Sequence, residues 1–373
     1  MDSRRYSRQV PLPGIGRDGQ ARIQRARILC VGVGGLGCPA SLYLAAAGVG
    51  ALGLIDPDVV DLSNLQRQVL FAESEIGLSK VEAAGRRLSA LNSSVQLVLH
   101  PCALRAGNAL SVFAGYDIIV DGTDNFATKF LINDAATRLG LPVVHGTLSQ
   151  FEGRASVFWA KQGPCYRCLY PKPPRSLIQN CAEAGVLGGV AGVVGSIQAI
   201  EALKLAAAPG VAPGPLRTLL GKLLVVDTAT METSTFPVQK NSTCPVCSGP
   251  PEAIVLEDLP AACASSGVGE ESEAVSPKEL ATRLADYTLV DVREPDEWSQ
   301  GHLAGALNWP LSRLQHGEWP DFKVWVRPAL LYCQAGVRSA RALELLRPHA
   351  PPLRHLTGGL NAWSGALVPS TSA

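Results

Sequence analysis

The 373-residue sequence is short of charge: Asp, Glu, Lys and Arg make up 17% of it, against about 25% in ordinary soluble chains. Beside a hydrophobic share of 47%, this shortage requires surface to be buried internally or in a subunit interface, so a homodimer is expected. Neither sign of charge is in excess. With 33 basic and 32 acidic residues the net charge is +1, which removes any overall pull toward nucleic acid or an anionic membrane; binding to either is not expected, and any anion site must be local. An unbroken apolar run long enough to span a bilayer is missing too. The longest candidate, Val186 to Leu205, is interrupted by Gln198, Glu201 and Lys204 and crowded with glycine, and it is predicted to form a buried helix. Met1 to Val10 carries Arg4, Arg5 and Arg8 with no apolar core behind them. That is not the layout of a secretory signal, and a cytoplasmic location is expected. No internal repeat has a fixed period.

The length fits two domains better than one. Apolar runs at Arg27–Val33, Ala51–Ile55, Val95–Leu99, Tyr116–Val120 and Pro142–Val144 alternate with helical stretches such as Pro39–Gly48, Lys80–Leu91 and Asn125–Leu139. The alternation predicts an α/β fold, a doubly wound and mostly parallel sheet. Between Ser248 and Pro277 the composition turns to Gly, Pro, Ser, Ala and Glu, which reads as a linker. A helix at Pro277–Ala285 and strands at Thr288–Val292 and Ala329–Tyr332 then predict a smaller second α/β domain.

The segment Gly32, Val33, Gly34, Gly35, Leu36, Gly37 stands after a predicted strand and before a predicted helix. Glycine lets backbone approach a nucleotide, and the helix start offers amides to phosphate. Asp56, ending the next strand, is placed to accept ribose hydroxyls. On these features alone, a nicotinamide-dependent oxidoreductase ranks first. Ser63, Asn64, Leu65, Gln66 and Arg67, followed by Lys80, add cations suited to a polyphosphate. Asp121, Thr123, Asp124 and Asn125 follow another strand, where an aspartate can hold Mg2+.

Taken in order, these motifs resemble the adenylating enzymes that activate ubiquitin-like proteins, in the ThiF/MoeB-like branch serving molybdopterin, thiamine and thiolated-tRNA pathways. The resemblance covers most of residues 4 to 247. It includes Arg5 to Gln9, the glycine loop, Asp56, Ser63 to Arg67, Lys80, Asp124 with Asn125, Cys181 to Leu187 and Gln198 to Lys204. It implies a Rossmann-like adenylation domain over 1–248, a linker over 249–274, and a homodimer that uses ATP and Mg2+. In it Gly35 lies at the nucleotide, Asp56 holds the ribose, Asn64, Arg67 and Lys80 handle phosphates, and Asp124 is linked to the metal. Arg8 would reach the neighbouring subunit's phosphates. Gly122 and Arg154 depart from the family's usual cysteine and glutamine at those places.

The sequence has ten cysteines, and without a secretory signal they point to thiolate chemistry or metal rather than a disulfide framework. Cys165 with Cys168 and Cys244 with Cys247 are two Cys-x-x-Cys pairs, which could close a tetrahedral zinc site; a redox pair is the alternative for the second. The family resemblance implies that all four bind one structural Zn2+. It also marks Cys181 as a thioester or acyl-disulfide partner. Cys30, Cys38, Cys102 and Cys263 are expected to be small apolar fillers or linker residues.

Toward the C-terminus, Leu289 to Trp298, Gly301 to Ala306 and Gly358 to Trp363 resemble the rhodanese domain, implied over 275–373. Between them, Cys333 to Ser339 follows a strand and precedes a helix. Amides converging on the sulfur, the helix start and Arg338 would favour thiolate and persulfide anions. Four residues separate Cys333 from Arg338, one short of a cysteine-phosphatase loop, and an inactive rhodanese-like module would commonly lack the cysteine. Asp291, Arg293 and His302 are expected to stabilise the domain. The two resemblances together imply that ATP activates the C-terminal Gly-Gly of a ubiquitin-like sulfur-carrier protein and that the Cys333 persulfide converts it to a thiocarboxylate. The sulfur would come from a cysteine desulfurase or thiosulfate, and the product would serve molybdopterin synthesis or tRNA 2-thiolation. A dehydrogenase and a non-catalytic scaffold are the rival classes.

Overall fold

Five-residue runs such as Arg-Ile-Leu-Cys-Val and Ala-Leu-Gly-Leu-Ile are too short for stable helices and apolar on both faces, as strands covered on both sides must be. In a computed structural model, which describes residues 4–173, 185–208, 214–259, 273–325, 327–347, 349 and 352–368, they form the centre of a sheet. The first half of the chain supplies α1 (Gly16–Ile23), β1 (Arg27–Val31), α2 (Gly37–Ala47), β2 (Ala51–Ile55), α3 (Lys80–Leu91), β3 (Gln96–His100), α4 (Ala106–Phe113), β4 (Ile118–Asp121), α5 (Phe126–Leu139) and β5 (Val143–Ser149). β6 (Glu152–Phe158), α6 (Tyr166–Leu169), α7 (Gly188–Ala207), β7 (Lys222–Asp227) and β8 (Glu232–Pro237) follow. The strand order is β3-β2-β1-β4-β5-β6-β7-β8. β1 to β5 are parallel, and β5 to β8 continue as an antiparallel meander.

Alternation along β1 sends Ile28 and Cys30 into one core with α2, α3 and α7, and Leu29 and Val31 into another with α4 and α5. Both faces are thereby sealed. α7 is the predicted buried helix, and among the described residues it is the one helix long and apolar enough to cross a membrane. Two of its buried polar side chains find partners within the domain: Gln198 Nε2 donates to the Asp121 carbonyl at 2.7 Å, and Glu201 accepts the Leu219 amide at 2.7 Å.

In this sheet, β6 to β8 were not legible in the sequence. β8 is exposed along its whole length, so no core face imposes an apolar period on it. The first part of the expected linker is also different from a free tether. Ile254 is buried, its carbonyl accepts from Arg138 at 2.9 Å, and the Asp258 carboxylate accepts the Ala106 amide at 2.8 Å. The chain divides into two compact units, the first extending to Leu259.

The second unit contains β9 (Ala274–Val275), α8 (Pro277–Arg283), β10 (Thr288–Asp291), α9 (Pro295–Ser299), β11 (Leu307–Asn308), α10 (Leu311–Gln315), β12 (Ala329–Tyr332), α11 (Val337–Leu346) and β13 (Leu353–Leu356). Its five strands are all parallel, in the order β11-β10-β12-β13-β9. In each sheet the direction of winding reverses at one place, between β1 and β4 in the first and between β10 and β12 in the second. At such a reversal the loops leaving the strand ends part and open a crevice where open α/β sheets bind ligands.

Candidate active sites

At the first reversal, β1 leads into the glycine loop and β4 into Asp121 to Asn125. The loop turns through Gly32 at φ +87°, and a Cβ on Gly37 would stand 2.0 Å from the Gly32 carbonyl oxygen. The backbone of Gly122 closes on the same turn, since a Cβ there would meet the Gly32 oxygen at 2.8 Å. Gly122 therefore lets the two crevice loops touch. Gly37→Ala is expected to push the first turn of α2 off the loop and weaken ATP binding at least about tenfold, as measured by calorimetric titration of the full chain.

Asp56 is buried and receives the Val33 amide at 2.7 Å on one oxygen and the Asp58 amide at 2.9 Å on the other. Burial pushes its carboxyl above the usual range, opposed by those two amides and by Lys80. Lys80 opens α3, is itself buried, and donates to Asp58 at 2.9 Å. Asp61 organises the next segment by accepting the Ser63 amide and hydroxyl at 2.8 and 2.6 Å. Asn64 closes that turn. Arg67 donates to the Ser63 carbonyl at 2.9 Å, and its stem comes within 3.6 Å of the position a Cβ on Gly35 would take. The first turn of α7 lies against the same place, Gly188 beside the Gln66 carbonyl and Ala191 beside Gly35. Glycine loop, Ser63 to Arg67, Asp56 and Lys80 are thus neighbours.

Across the crevice, Asp124 is exposed and makes no hydrogen bond or ion pair with the described residues. Asn125 caps α5, its side-chain oxygen accepting the Thr128 amide at 2.8 Å. Arg8 is exposed, and within its own chain it joins none of these groups. Cys181 falls outside the described residues. Sequence reasoning missed Lys129 and His145, which are buried against Asp121. The available signal was a lysine one turn after a helix cap and a histidine inside an apolar strand.

The four paired cysteines meet. Their sulfurs lie within 4.8 Å of one another, with Cys165–Cys168 at 3.8 Å, Cys165–Cys244 at 3.6 Å and Cys168–Cys247 at 3.4 Å. Four thiolates about 2.3 Å from one ion would stand about 3.8 Å apart. Burial and the neighbouring sulfurs push the Cys165 thiol far up. Cys244 is held down despite burial by the Cys247 and Val246 amides. Such a set ionises together only around a cation, so the donor chemistry fits a metal ion. α5 seats the first pair: Asn133 accepts the Tyr166 amide at 2.7 Å, and Asp134 pairs with Arg167 at 2.6 Å. Of the cysteines expected to be fillers, Cys30 and Cys38 are buried and Cys102 is exposed. Cys263 lies outside the described residues.

At the second reversal, Cys333 leaves β12. Its sulfur, buried, accepts the Gly336 amide at 3.1 Å. Gly336 takes φ +88° at the start of α11, a left-handed turn that glycine adopts without strain. The loop is held from both sides. Leu360 and Asn361 donate their amides to the carbonyls of Cys333 and Gln334 at 2.9 Å, and Arg293 donates to the Gln334 side chain at 3.2 Å while tied to buried Asp291 at 2.7 Å. Arg338 does not act as a lone cation. It grips Glu297 through two bonds of 2.5 and 2.6 Å, and that pairing holds the Glu297 carboxyl below its usual range. Nearest the sulfur stand the Gly336 amide and the start of α11. His302 stacks on Trp298 with ring centroids 3.5 Å apart.

A nucleotide crevice with a four-cysteine cluster in one unit and a cradled cysteine in the other define a two-part enzyme that joins nucleotide chemistry to sulfur chemistry. The ThiF family model matches residues 6–246 and the rhodanese-like domain model residues 276–366. The probable adenylyltransferase/sulfurtransferase MoeZ of Mycobacterium tuberculosis is 41% identical, covering 98% of this chain and 93% of the relative. The adenylyltransferase and sulfurtransferase MOCS3 of Drosophila grimshawi is 36% identical, covering 98% and 85%. Among solved structures, Escherichia coli MccB with MccA-N7isoASN aligns with a TM-score of 0.59 at 22% identity over 67% of this chain and 75% of that one, a likeness of fold. The chain belongs to the ThiF family, with a rhodanese-like domain at its C-terminal end, and is an adenylyltransferase and sulfurtransferase.

Proposed function

We propose that the first unit adenylates the C-terminal Gly-Gly of a ubiquitin-like sulfur-carrier protein and that a persulfide on Cys333 then supplies its sulfur. The cradle of Cys333, with an amide 3.1 Å from a buried sulfur at a helix start, is the observation that carries this reading, because it favours an anionic sulfur. In the first half-reaction the carrier's carboxylate attacks the α-phosphorus of ATP, and pyrophosphate leaves. Arg67 and Lys80 would meet the phosphates and Asp56 the ribose. Bound at Asp124, Mg2+ would offset the negative charge that builds on the phosphates. In the second, the outer sulfur of the Cys333 persulfide attacks the acyl carbon and AMP leaves, producing an acyl disulfide. Attack on that disulfide by a further thiol, from Cys181 or an outside reductant, releases the thiocarboxylate.

The reading extends to a homodimer, supported by Leu187, Val193 and Ile200 exposed in and beside α7 and by Arg8 exposed where a partner could use it. Cytoplasmic residence and service to molybdopterin synthesis or tRNA 2-thiolation belong to the same reading. The test is to incubate the full chain with MgATP, each Gly-Gly-ended ubiquitin-like protein of its cell, and either thiosulfate or a cysteine desulfurase with cysteine. Sulfur replacing oxygen in the carrier's mass is expected. A chain that neither modifies any of them nor exchanges pyrophosphate overturns the reading.

Zn2+ is the ion proposed for Cys165, Cys168, Cys244 and Cys247, in a structural role. One zinc per chain is expected by elemental analysis. Cys244→Ser is expected to lose it and to destabilise the first unit by several kcal/mol, about 3 or more, seen as a fall in its melting temperature while the second unit's is unchanged.

A further inference from the structure

Beneath the turn that carries Asp124 lies a buried polar cluster to which the proposed chemistry gives no part. Asp121 ends β4 almost wholly buried. One of its oxygens accepts Lys129 Nζ at 2.9 Å and His145 Nδ1 at 2.9 Å, and the other accepts the Thr123 amide at 3.1 Å and hydroxyl at 2.7 Å. Lys129 also donates to the Gly146 carbonyl at 2.8 Å, and Gln198 donates to the Asp121 carbonyl at 2.7 Å. Lys129 of α5, His145 of β5 and Thr123 thus converge on the carboxylate that ends β4, while Gln198 of α7 holds the backbone carbonyl of the same residue.

We propose that Asp121, Lys129 and His145 are positioning residues for adenylation: they fix the turn 122–125, and with it Asp124, in one geometry against the glycine loop. The proposal rests on the role given to Asp124 above. A buried carboxylate stays ionised only if its charge is matched and its lone pairs are filled. Lys129 supplies the charge. Burial drives the Asp121 carboxyl up, but Lys129, His145 and Thr123 outweigh it and hold the group well below the usual range. Burial and Lys129 also depress His145, so at neutral pH the ring is uncharged and donates Nδ1–H to Asp121. One ammonium, one carboxylate and one neutral imidazole leave the cluster without net charge. An ionised Asp121 then accepts twice from Thr123, closing the turn whose next residue is Asp124. Lys129 sits one helical turn beyond Asn125, the cap of α5, so the turn is pinned at both ends.

The experiment compares the full chain with Lys129→Gln and Lys129→Arg in two measurements. Amide hydrogen exchange, which needs no carrier protein, is expected to quicken about tenfold or more at 122–125 in Lys129→Gln, with β2 and β3 unchanged, and to return toward the parent in Lys129→Arg. ATP–pyrophosphate exchange is expected to lose about 100-fold in kcat with a much smaller change in KM for ATP, again restored by arginine. If Lys129→Gln does not fold, Asp121→Asn with Lys129→Gln, which leaves no unmatched buried charge, takes its place with the same expected losses. Parent-like protection at 122–125, or loosening spread evenly through the sheet and not restored by arginine, overturns the proposal. Absence of pyrophosphate exchange by the unaltered chain counts against the adenylation reading alone, because hydrogen exchange still decides whether the cluster holds the turn.

Discussion

Asp124→Ala is expected to abolish ATP–pyrophosphate exchange while leaving the fold intact. The side chain is exposed and engages no other described residue, so its removal should change stability by no more than about 0.5 kcal/mol. It stands at the crevice, on a turn whose Gly122 backbone abuts the glycine loop, and among the described residues none pairs with its charge, which suits the role proposed for it. Attack on the α-phosphate gathers negative charge where ATP already carries several, and an anchored metal ion is the most economical remedy. Losing one such anchored group costs about 100- to 1000-fold in kcat. The measurement is radiolabel exchange into ATP beside a melting curve; normal exchange would clear Asp124 of the role.

Cys333→Ala is expected to separate the two activities. Exchange should persist at the parent rate, because Cys333 lies in the second unit and the proposed adenylation residues in the first. Thiocarboxylate formation should stop, because no other described cysteine has a sulfur lodged against the start of an α-helix with an amide at 3.1 Å. Deleting one buried atom costs about 1 kcal/mol, too little to unfold the unit. Mass measurement of the carrier's C-terminus reads the outcome, and sulfur transfer at the parent rate by the alanine variant would refute the assignment.

Much of this was legible in the chain. β2, α3 and β12 begin and end where their residue patterns predict, since an unbroken apolar run between breakers has few alternatives. The glycine loop, the two Cys-x-x-Cys pairs and the Cys333 loop were readable because each is a local device whose spacing is its mechanism. β8 was not, because a strand exposed on both faces carries no period; β6, which mixes Glu, Gly, Arg and Ser with its buried residues, and β7 were missed as well, and so was the packing of Ile254 and Asp258 within a stretch that by composition reads as a tether.

The sequence alone determined the alternation of strands and helices through β5, the glycine loop and the two kinds of cysteine, all consequences of backbone preferences and contacts a few residues apart. Tertiary structure decided which distant groups meet. It brought Cys165 to Cys244 across 79 positions, drew Lys129 and His145 onto Asp121, and paired Arg338 with Glu297, 41 positions away. The reason is physical: burial and ion pairing depend on what the folded chain places within a few ångströms, and spacing along the sequence does not encode that.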